Sequence, residues 1–489
     1  MSVFLIGMMG VGKSYTAQKL SEITGKECFD TDRIIEQEEK MTVNEIFEKK
    51  GEKYFRKCEK ELLKNLAGKD IIVATGGGII LDEENRKILK SQKTIYLKDS
   101  IENILKRTDI KSRPLIKNNP EKIYDIYEKR KELYEQFYTV EISEYTLYKT
   151  AEFISEKHEN EIGKEFQKIR IGCGILKNSE NSGIIITDRK IKDIFYPGKN
   201  ENIVTFPCGE EIKDFKYVFK MYDYLIEKNT GRDEFINAAG GGSITDFAGF
   251  VASTFKRGIK YNFYPTTLLA MADASVGGKN AVDYKGIKNI IGNFSFPENT
   301  YMDLLTLITL DDERIKEGIT EIFKISLLHG EFFEFIKENY NGIILKNIKI
   351  LEKTLENAVK LKLLFVEKDF RDKGIRNILN IGHTAGHVFE SVTGYSHGRS
   401  VAWGINFETE YLMKNKIINN DIYFKIKDFL YRLYDEKFYD IFPQNEKIKE
   451  FIINDKKYSH GKINFPYIKE IGHYDFIKIN PYELFFNGR

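Results

Sequence analysis

Residues 7–14 read GMMGVGKS, which fits G-x-x-x-x-G-K-[ST]. An apolar run, VFLI at 3–6, precedes it, and helix-forming residues from Lys13 to Leu20 follow. A strand, a glycine loop and a helix in that order cradle phosphate. Backbone N–H groups converge where glycine leaves room, and the helix N-terminus adds positive potential. In such a loop the lysine reaches the β/γ-phosphates and the next hydroxyl ligates Mg²⁺. Gly7, Gly10, Gly12, Lys13, Ser14 and Thr16 are the candidate ATP residues, with Ser14 also the magnesium ligand.

Outward from this loop the α/β texture continues. IIVATGGGIIL at 71–81 and KTIYLK at 93–98 hold further apolar strands with helical stretches between, so a parallel sheet with helices on both faces is expected. Around 149–167, KTAEFISEKHENEIGKEFQ is charged and lacks strand patterning, and a boundary is placed near 160. A second series of short apolar strands then begins: IRIGCGIL (169–176), GIIITD (183–188), NIVTFP (202–207), FINAAGGG (235–242) and YNFYP (261–265). From about 308, amphipathic stretches such as 311–328 and 346–368 predict helices. The expected organisation is an α/β domain at 1–160, a second α/β domain at 161–307 and a mostly helical domain at 308–489.

Composition narrows the class of protein. A chain of 489 residues suits two to four domains. With 42% apolar and 31% charged residues it has material for several cores and is not a mostly disordered chain. Lys+Arg (76) and Asp+Glu (74) nearly balance, which gives no electrostatic reason to expect a nucleic-acid partner. The apolar run at 3–12 is too short to span a bilayer and too glycine-rich for a secretory signal, so no membrane partner is expected. Cys28, Cys58, Cys173 and Cys208 form no CxxC, and reduced thiols in a cytoplasmic protein are the expectation.

The glycine loop leaves the phosphate acceptor open. Asp30 and Asp32 (CFDTD) fall where a second strand would end, so one carboxylate can serve the metal and the other a substrate hydroxyl. Arg56 and Glu59 are three apart on a helical stretch and share a face. Gly76–Gly78 permit close approach of a ligand, Arg113 lies in the polar loop KSRPLIKNN, and Arg130 lies on the next helix. The ordered set GMMGVGKS, D-x-D, FRKCE, GGG, RPL and a later Arg before a Tyr resembles shikimate kinase over roughly residues 1–160. That resemblance implies that Asp32, Arg56, Gly77, Gly78 and Arg130 hold shikimate and that Arg113 closes over the phosphates. Asp32 would orient or deprotonate the 3-hydroxyl that ATP phosphorylates, with Lys13 and Mg²⁺ offsetting charge.

In the second half, GGGSITD at 240–246 fits G-x-G-x-x-G poorly, and no standard dinucleotide fingerprint is read from it. The histidines say more. His383 and His387 are four apart and share a helical face, and His397 follows after a loop. Glu321, in TEIFK, can add an oxygen ligand. Two imidazoles, one carboxylate and an open position make a catalytic zinc pattern.

The long ordered series GGGSITDFAGFVASTFKRG, PTTLLAMADASVGGKNAV, KNIIG, EGITEIFK, RNILNIGHTAGHVFE and HGRSVAWG resembles 3-dehydroquinate synthase across 168–489. The resemblance implies an NAD-binding α/β domain, then a helical domain, with the site in the cleft between them. It assigns zinc (or cobalt) to Glu321, His383 and His397. It assigns NAD to Asp188, Glu210, Lys213, Gly241, Gly242, Asp246, Thr266, Thr267, Lys288 and Thr309. Substrate falls to Arg257, Asp273, Lys279, Asn289, Lys324, Lys362, Arg376, Asn380, His387 and Lys457. Among these, Lys279, Lys324, Arg376 and His387 are the catalytic candidates, His387 by handling a hydroxyl proton. The implied substrate is 3-deoxy-D-arabino-heptulosonate 7-phosphate. NAD oxidises it transiently, phosphate leaves, the hydride returns, and an intramolecular aldol step gives 3-dehydroquinate. Arg257 would reach the phosphate position of a neighbouring subunit in a homodimer.

Two positions depart from that family's pattern: Asp372 stands where Glu is usual, and Lys190 where Asn is expected near the adenosine ribose. The segment before IRIGCGIL is short, so the first strand of this unit is not expected. The leading expectation is one chain with two activities of the shikimate pathway, acting on small molecules. The alternatives are a kinase for another small alcohol joined to another sugar-phosphate cyclase or a metal-dependent polyol dehydrogenase, or a chain with one inactive half.

Overall fold

The computed structural model describes residues 1–108, 115–116, 119–163, 167–181, 183–199, 201–444, 446–449 and 461–486, without the side chains at 180 and 181. Arg113 and Lys457 therefore lie outside the described residues. The chain divides into two compact units, Met1–Glu156 with Leu345–Lys349, and Lys157–Ile344 with Ile350–Arg489.

The first unit is built on five strands: β1 (Val3–Ile6), β2 (Glu27–Asp30), β3 (Ile71–Ala74), β4 (Lys93–Lys98) and β5 (Tyr138–Glu141). All neighbours are parallel, in the order β2-β3-β1-β4-β5. The central strand β1 is buried along its whole length, which is why its four residues are all apolar. It lies between β3 and β4, so its C-terminal end opens where the connections part to either side. Ligands of open α/β sheets bind at such a point. Helix α1 (Lys13–Thr24) starts directly from that loop, with Gly12 in the left-handed region at its N-cap (φ 105°). Gly10 (φ 77°) has no room for a side chain, because a Cβ would stand 1.8 Å from Thr108 Oγ1. Asp30 caps helix α2 (Thr31–Glu39), accepting from the N–H groups of Asp32 and Arg33. Helices α3 (Glu52–Leu66) and α4 (Lys122–Tyr134) supply the remaining side chains of this pocket.

The second unit has a seven-stranded sheet in the order β6-β7-β14-β11-β10-β8-β9. Its strands are β6 (His158–Ile162), β7 (Ile169–Cys173), β8 (Ile184–Asp188), β9 (Ile203–Phe206), β10 (Phe235–Gly240), β11 (Lys260–Pro265) and β14 (Asn299–Asp303). All pairs are parallel except β6 with β7. Strand β6 corrects the sequence expectation: a strand does lie within the charged stretch 149–167, and a strand does precede IRIGCGIL. Four of its five residues are exposed. An edge strand paired on one side, with solvent beside it, needs no apolar alternation.

Between the sheet residues, β12 (Lys279–Tyr284) and β13 (Ile287–Phe294) form a separate antiparallel hairpin. Helix α5 (Gly242–Thr254) leaves the end of β10 and packs Phe247, Ala248 and Val251 into a core with Ile186, Ile236 and Phe263. Helices α6 (Asp312–Ser326), α7 (Ile348–Lys368), α8 (His383–Thr393) and α9 (His397–Lys414) dominate the rest. A second antiparallel hairpin, β15 (Ile463–Glu470) with β16 (His473–Ile479), stands in the part expected to be mostly helical. No helix among the described residues is long and apolar enough to cross a membrane, and all four cysteines are free.

Candidate active sites

In the first unit, the side chains that end β2 and begin α1 meet. Ser14 Oγ donates to Asp30 Oδ2 at 2.5 Å. Lys13 is buried and donates to the carbonyls of Gly7 (3.0 Å) and Met8 (2.9 Å), folded over the loop. Thr16 is buried one turn further on. Beside this loop, α3 brings Arg56 and Glu59 onto one face, with Arg56 Nη1 2.8 Å from Glu59 Oε2. The glycines after β3 make the space: a Cβ on Gly76 would stand 2.4 Å from Glu59 Oε1 and 2.8 Å from Asp32 Oδ1. On Gly78 it would stand 2.3 Å from the Arg56 guanidinium. Arg130 Nη1 (2.9 Å) and the Tyr134 hydroxyl (2.5 Å) both donate to the Gly77 carbonyl. The structure thus gathers Asp32, Arg56, Gly77, Gly78 and Arg130 around one small polar space.

Glu59, Gly76 and Tyr134 also line that space; the sequence reading marked Gly76 as a place of close ligand approach and Glu59 as sharing a face with Arg56, but gave none of the three a site role. Glu59 is fully buried. Burial raises its carboxyl, against the pull of Arg56, to about 6. Its place was signalled only by the three-residue spacing from Arg56. Tyr134, one of 28 tyrosines, carried no signal beyond its position after Arg130.

In the second unit, Asp188 ends β8 and Gly240 ends β10, with Thr187 opposite Ala239 in the register. Gly241 and Gly242 open α5 at this point. The Thr266 N–H donates to the Gly240 carbonyl at 2.9 Å, while the buried Thr266 Oγ1 has no hydrogen-bond partner among the described residues. A helix N-terminus beside an unmatched buried hydroxyl suits the phosphates and polar edges of a dinucleotide. Thr267 Oγ1 accepts from the Ala270 N–H and Thr309 Oγ1 donates to the Thr306 carbonyl. Asp188 accepts from the Ile191 N–H, capping the next helix. Lys213, buried, donates to Asp246 at 2.7 Å and to Asn289 at 2.9 Å, with Glu210 at 3.5 Å. These carboxylates, Asp246 foremost, overcome burial and raise the Lys213 ammonium above its ordinary range.

The predicted metal ligands converge. Glu321 on α6, His383 at the start of α8 and His397 at the start of α9 each place one ligand atom within 4.8 Å of the others. His383 Nε2 and His397 Nε2 lie 3.8 and 3.4 Å from Glu321 Oε1. His383 Nδ1 is 3.2 Å from the Ile381 carbonyl, a contact that puts the proton on Nδ1 and leaves Nε2 as the ligand. Glu408, on α9, accepts from the Gly382 and Ala385 N–H groups at 2.7 and 2.8 Å and so holds the turn that carries His383. Glu321 is fully buried, with Oε1 turned to the two imidazoles and its other oxygen ion-paired with Lys324. A buried carboxylate oxygen facing two imidazole nitrogens fits a divalent cation of the zinc or cobalt type. Burial lowers His383 well below its ordinary range. Burial opposes a proton on His397 as well, but hydrogen bonds to Glu321 and Glu390 raise it to about 10.

Cationic groups surround this cluster. Lys362 donates to Asp273 Oδ1 at 2.5 Å and to its carbonyl at 2.6 Å. Burial would raise Asp273, but Lys362 and Lys324 pull its carboxyl far below the usual range. Arg376, buried, donates to the carbonyls of Gly277 and Phe370 at 3.0 and 2.8 Å. Lys279 meets Asp372 at 2.5 Å, and Lys288 meets Glu390 at 2.6 Å. Asn380 Nδ2 lies 3.4 Å from Asn377 Oδ1. The His387 ring centroid is 5.2 Å from that of His383 and 6.1 Å from that of His397. Asn289 (φ 53°) and Asp372 (φ 54°) both hold the left-handed region, a cost that clusters at functional sites. Arg257 (φ 67°) is different: it is exposed after α5 and, among the described residues, joins none of these pairs.

Comparison with known proteins matches both units. The shikimate kinase family model covers residues 9–161, the 3-dehydroquinate synthase N-terminal model 203–317 and its C-terminal model 318–458. The bifunctional shikimate kinase/3-dehydroquinate synthase of Thermotoga maritima is 40% identical over 99% of this chain and 99% of its own length. This chain belongs to the bifunctional shikimate kinase/3-dehydroquinate synthase family. The synthase half of the family fold is also found in solved structures. One is the 2-epi-5-epi-valiolone synthase of Streptomyces hygroscopicus with NAD⁺ and Zn²⁺ bound (19% identical, 67% of this chain, 97% of that one, TM-score 0.59). Another is a 2-deoxy-scyllo-inosose synthase with carbaglucose-6-phosphate, NAD⁺ and Co²⁺ (21% identical, 67% and 99%, TM-score 0.60). At these identities they establish the fold of the half.

Proposed function

We propose that this chain catalyses two reactions of the shikimate pathway. The first unit transfers the γ-phosphoryl group of ATP to the 3-hydroxyl of shikimate. The second converts 3-deoxy-D-arabino-heptulosonate 7-phosphate to 3-dehydroquinate and phosphate. The observation that carries this reading is the convergence of Glu321, His383 and His397, with Lys324 ion-paired to Glu321, in a chain that also carries the glycine loop whose Ser14 meets Asp30.

In the kinase, Ser14 and Asp30 hold the magnesium that accompanies ATP, and Lys13 leaves the loop carbonyls for the phosphate. Arg56 and Arg130 take the shikimate carboxylate, for which the planar guanidinium is the matching donor. Asp32 faces the hydroxyls and takes the proton of the attacking one. Arg113 is the closing cation of the phosphates. Catalysis here is positioning and charge compensation.

In the synthase, Glu321, His383 and His397 hold zinc or cobalt, and the ends of β8 and β10 with Gly241 and Gly242 hold NAD. When bound, these supply a Lewis acid for a substrate hydroxyl and a hydride acceptor that is restored within the cycle. Lys279, Lys324, Lys362, Arg376 and Lys457 bind the carboxylate and phosphate of a doubly anionic substrate. Asp273, Asn289 and Asn380 orient its hydroxyls. His387 stands beside the ligand histidines, where it can take a hydroxyl proton. Lys213, Asp246, Asp188, Glu210, Lys288, Thr266, Thr267 and Thr309 line the dinucleotide side. The synthase unit works as a homodimer in which Arg257 reaches the partner's phosphate position. Exposed apolar residues Tyr284, Ile287 and Ile290 on the adjacent hairpin support such a contact.

The test is direct. The whole chain is given heptulosonate phosphate, NAD and zinc, and inorganic phosphate is followed with and without a chelator. Phosphate release that the chelator stops supports the synthase reading. ADP formation from ATP that requires shikimate supports the kinase. A metal-loaded, NAD-loaded chain that releases no phosphate overturns the second half.

A further inference from the structure

Glu390 belongs to none of the ligand or substrate sets above, yet it touches the metal cluster. It lies on α8, three residues after His387, and its side chain is largely buried. Glu390 Oε2 stands 3.3 Å from His397 Nδ1, on the face of the ring opposite the Nε2 that points at Glu321. Its other oxygen accepts from Lys288 Nζ at 2.6 Å. Lys288 sits on β13, next to Asn289, whose Oδ1 accepts from Lys213. A continuous line of contacts therefore runs from the dinucleotide side, through Lys288 and Glu390, to one imidazole of the metal site.

Two roles are open to such a carboxylate. His387, Glu390 and His397 could themselves hold a cation, since their ligand atoms also lie within 4.8 Å of one another. The ammonium of Lys288 argues against that, because it already neutralises Glu390 and would repel an ion placed there. The remaining role is that of an outer partner, which orients a ligating histidine and raises its basicity.

We infer that Glu390 is a positioning residue of the metal centre, holding His397 with Nε2 turned to the ion and anchored in turn by Lys288. The inference rests on the reading of Glu321, His383 and His397 as the ligands. Because Lys288 is shared with the dinucleotide side, changes there reach the metal: Lys288→Ala weakens metal affinity although Lys288 touches no ligand atom of it.

The experiment measures Co²⁺ binding to the metal-free whole chain by competition with a chelator, together with the visible spectrum of the bound ion. Glu390→Ala, Glu390→Gln and His383→Ala are compared with the parent chain. Glu390→Ala is expected to weaken Co²⁺ binding about 10–100-fold and to shift the spectrum. Glu390→Gln, which keeps an acceptor but loses the charge, should fall between it and the parent. It also keeps the test decisive if the alanine variant does not fold, as judged by circular dichroism. Stoichiometry should remain one ion per chain. Glu390→Gln binding within twofold of the parent with an unchanged spectrum, or a second ion lost on removing Glu390, would overturn the inference. If His383→Ala also keeps its ion, the ligand assignment itself has failed. If only His383→Ala loses it, the ligand assignment stands and the role given to Glu390 is wrong.

Discussion

Arg56 and Glu59 sit one turn apart on α3 with 2.8 Å between guanidinium and carboxylate, yet the carboxylate titrates at about 6. Burial outweighs the arginine. The folded state therefore binds this proton more tightly than the unfolded chain, whose value is near 4.5. Stability from this group is fully present below pH 4.5 and is lost as pH rises through 6, by about 2 kcal/mol for a shift of this size. Glu59→Gln removes that loss. In calorimetry, the transition that ATP shifts should move up by roughly 4–8 °C at pH 8 and hardly at pH 4. The same change should raise the KM for shikimate. An equal shift at both pH values would show that Glu59 does not titrate as described.

Lys13 is buried and holds two loop carbonyls, so its removal touches packing as well as charge. Lys13→Met keeps the stem. It should lower shikimate phosphorylation by about two to three orders of magnitude, the scale of one preorganised charge lost from a transition state. Phosphate release from heptulosonate phosphate should be unchanged. Loss of both activities would contradict two independent sites.

How much of this was legible follows from burial. The strands flanked by helices, such as VFLI and IIITD, are buried along their length and read as apolar runs. Strand β6 and the hairpins β12–β13 and β15–β16 are partly exposed and mix polar with apolar residues, so no run marked them. His383, His387 and His397 were legible because histidine is scarce and three of seven fall within fifteen residues. Glu390 and Glu408 were not, because a glutamate on an amphipathic helix is ordinarily a solvated charge. Only the fold, by bringing His397 Nδ1 and the Gly382 amide to them, gives them work.

The metal site should release a proton when it fills. Without an ion, His397 carries a proton up to a pH of about 10, held by Glu321 and Glu390 against burial. A ligating imidazole must give that proton up. Between pH 7 and 9, apparent zinc affinity should therefore rise about tenfold per pH unit, with one proton released per ion. Competition with a chelator at three pH values measures the slope. A flat profile would mean that His397 is not a ligand or is already neutral.

Asp372, read from the sequence as a departure from an expected glutamate, meets Lys279 through its carboxylate at 2.5 Å. It does so from a left-handed backbone (φ 54°), a region aspartate tolerates better than most side chains. Lengthening it by one methylene costs little strain beyond what is present. Lys279 is half-exposed and flexible enough to retreat by the added length. Asp372→Glu should thus keep phosphate release within about threefold of the parent. Asp372→Ala leaves Lys279 without its partner beside Arg376 and should cost about tenfold, the scale of one charge-assisted hydrogen bond. Steady-state assays of both variants, with metal and NAD saturating, separate these outcomes. A larger loss in the glutamate variant than in the alanine variant would show that side-chain length, not the charge pair, is what this loop requires.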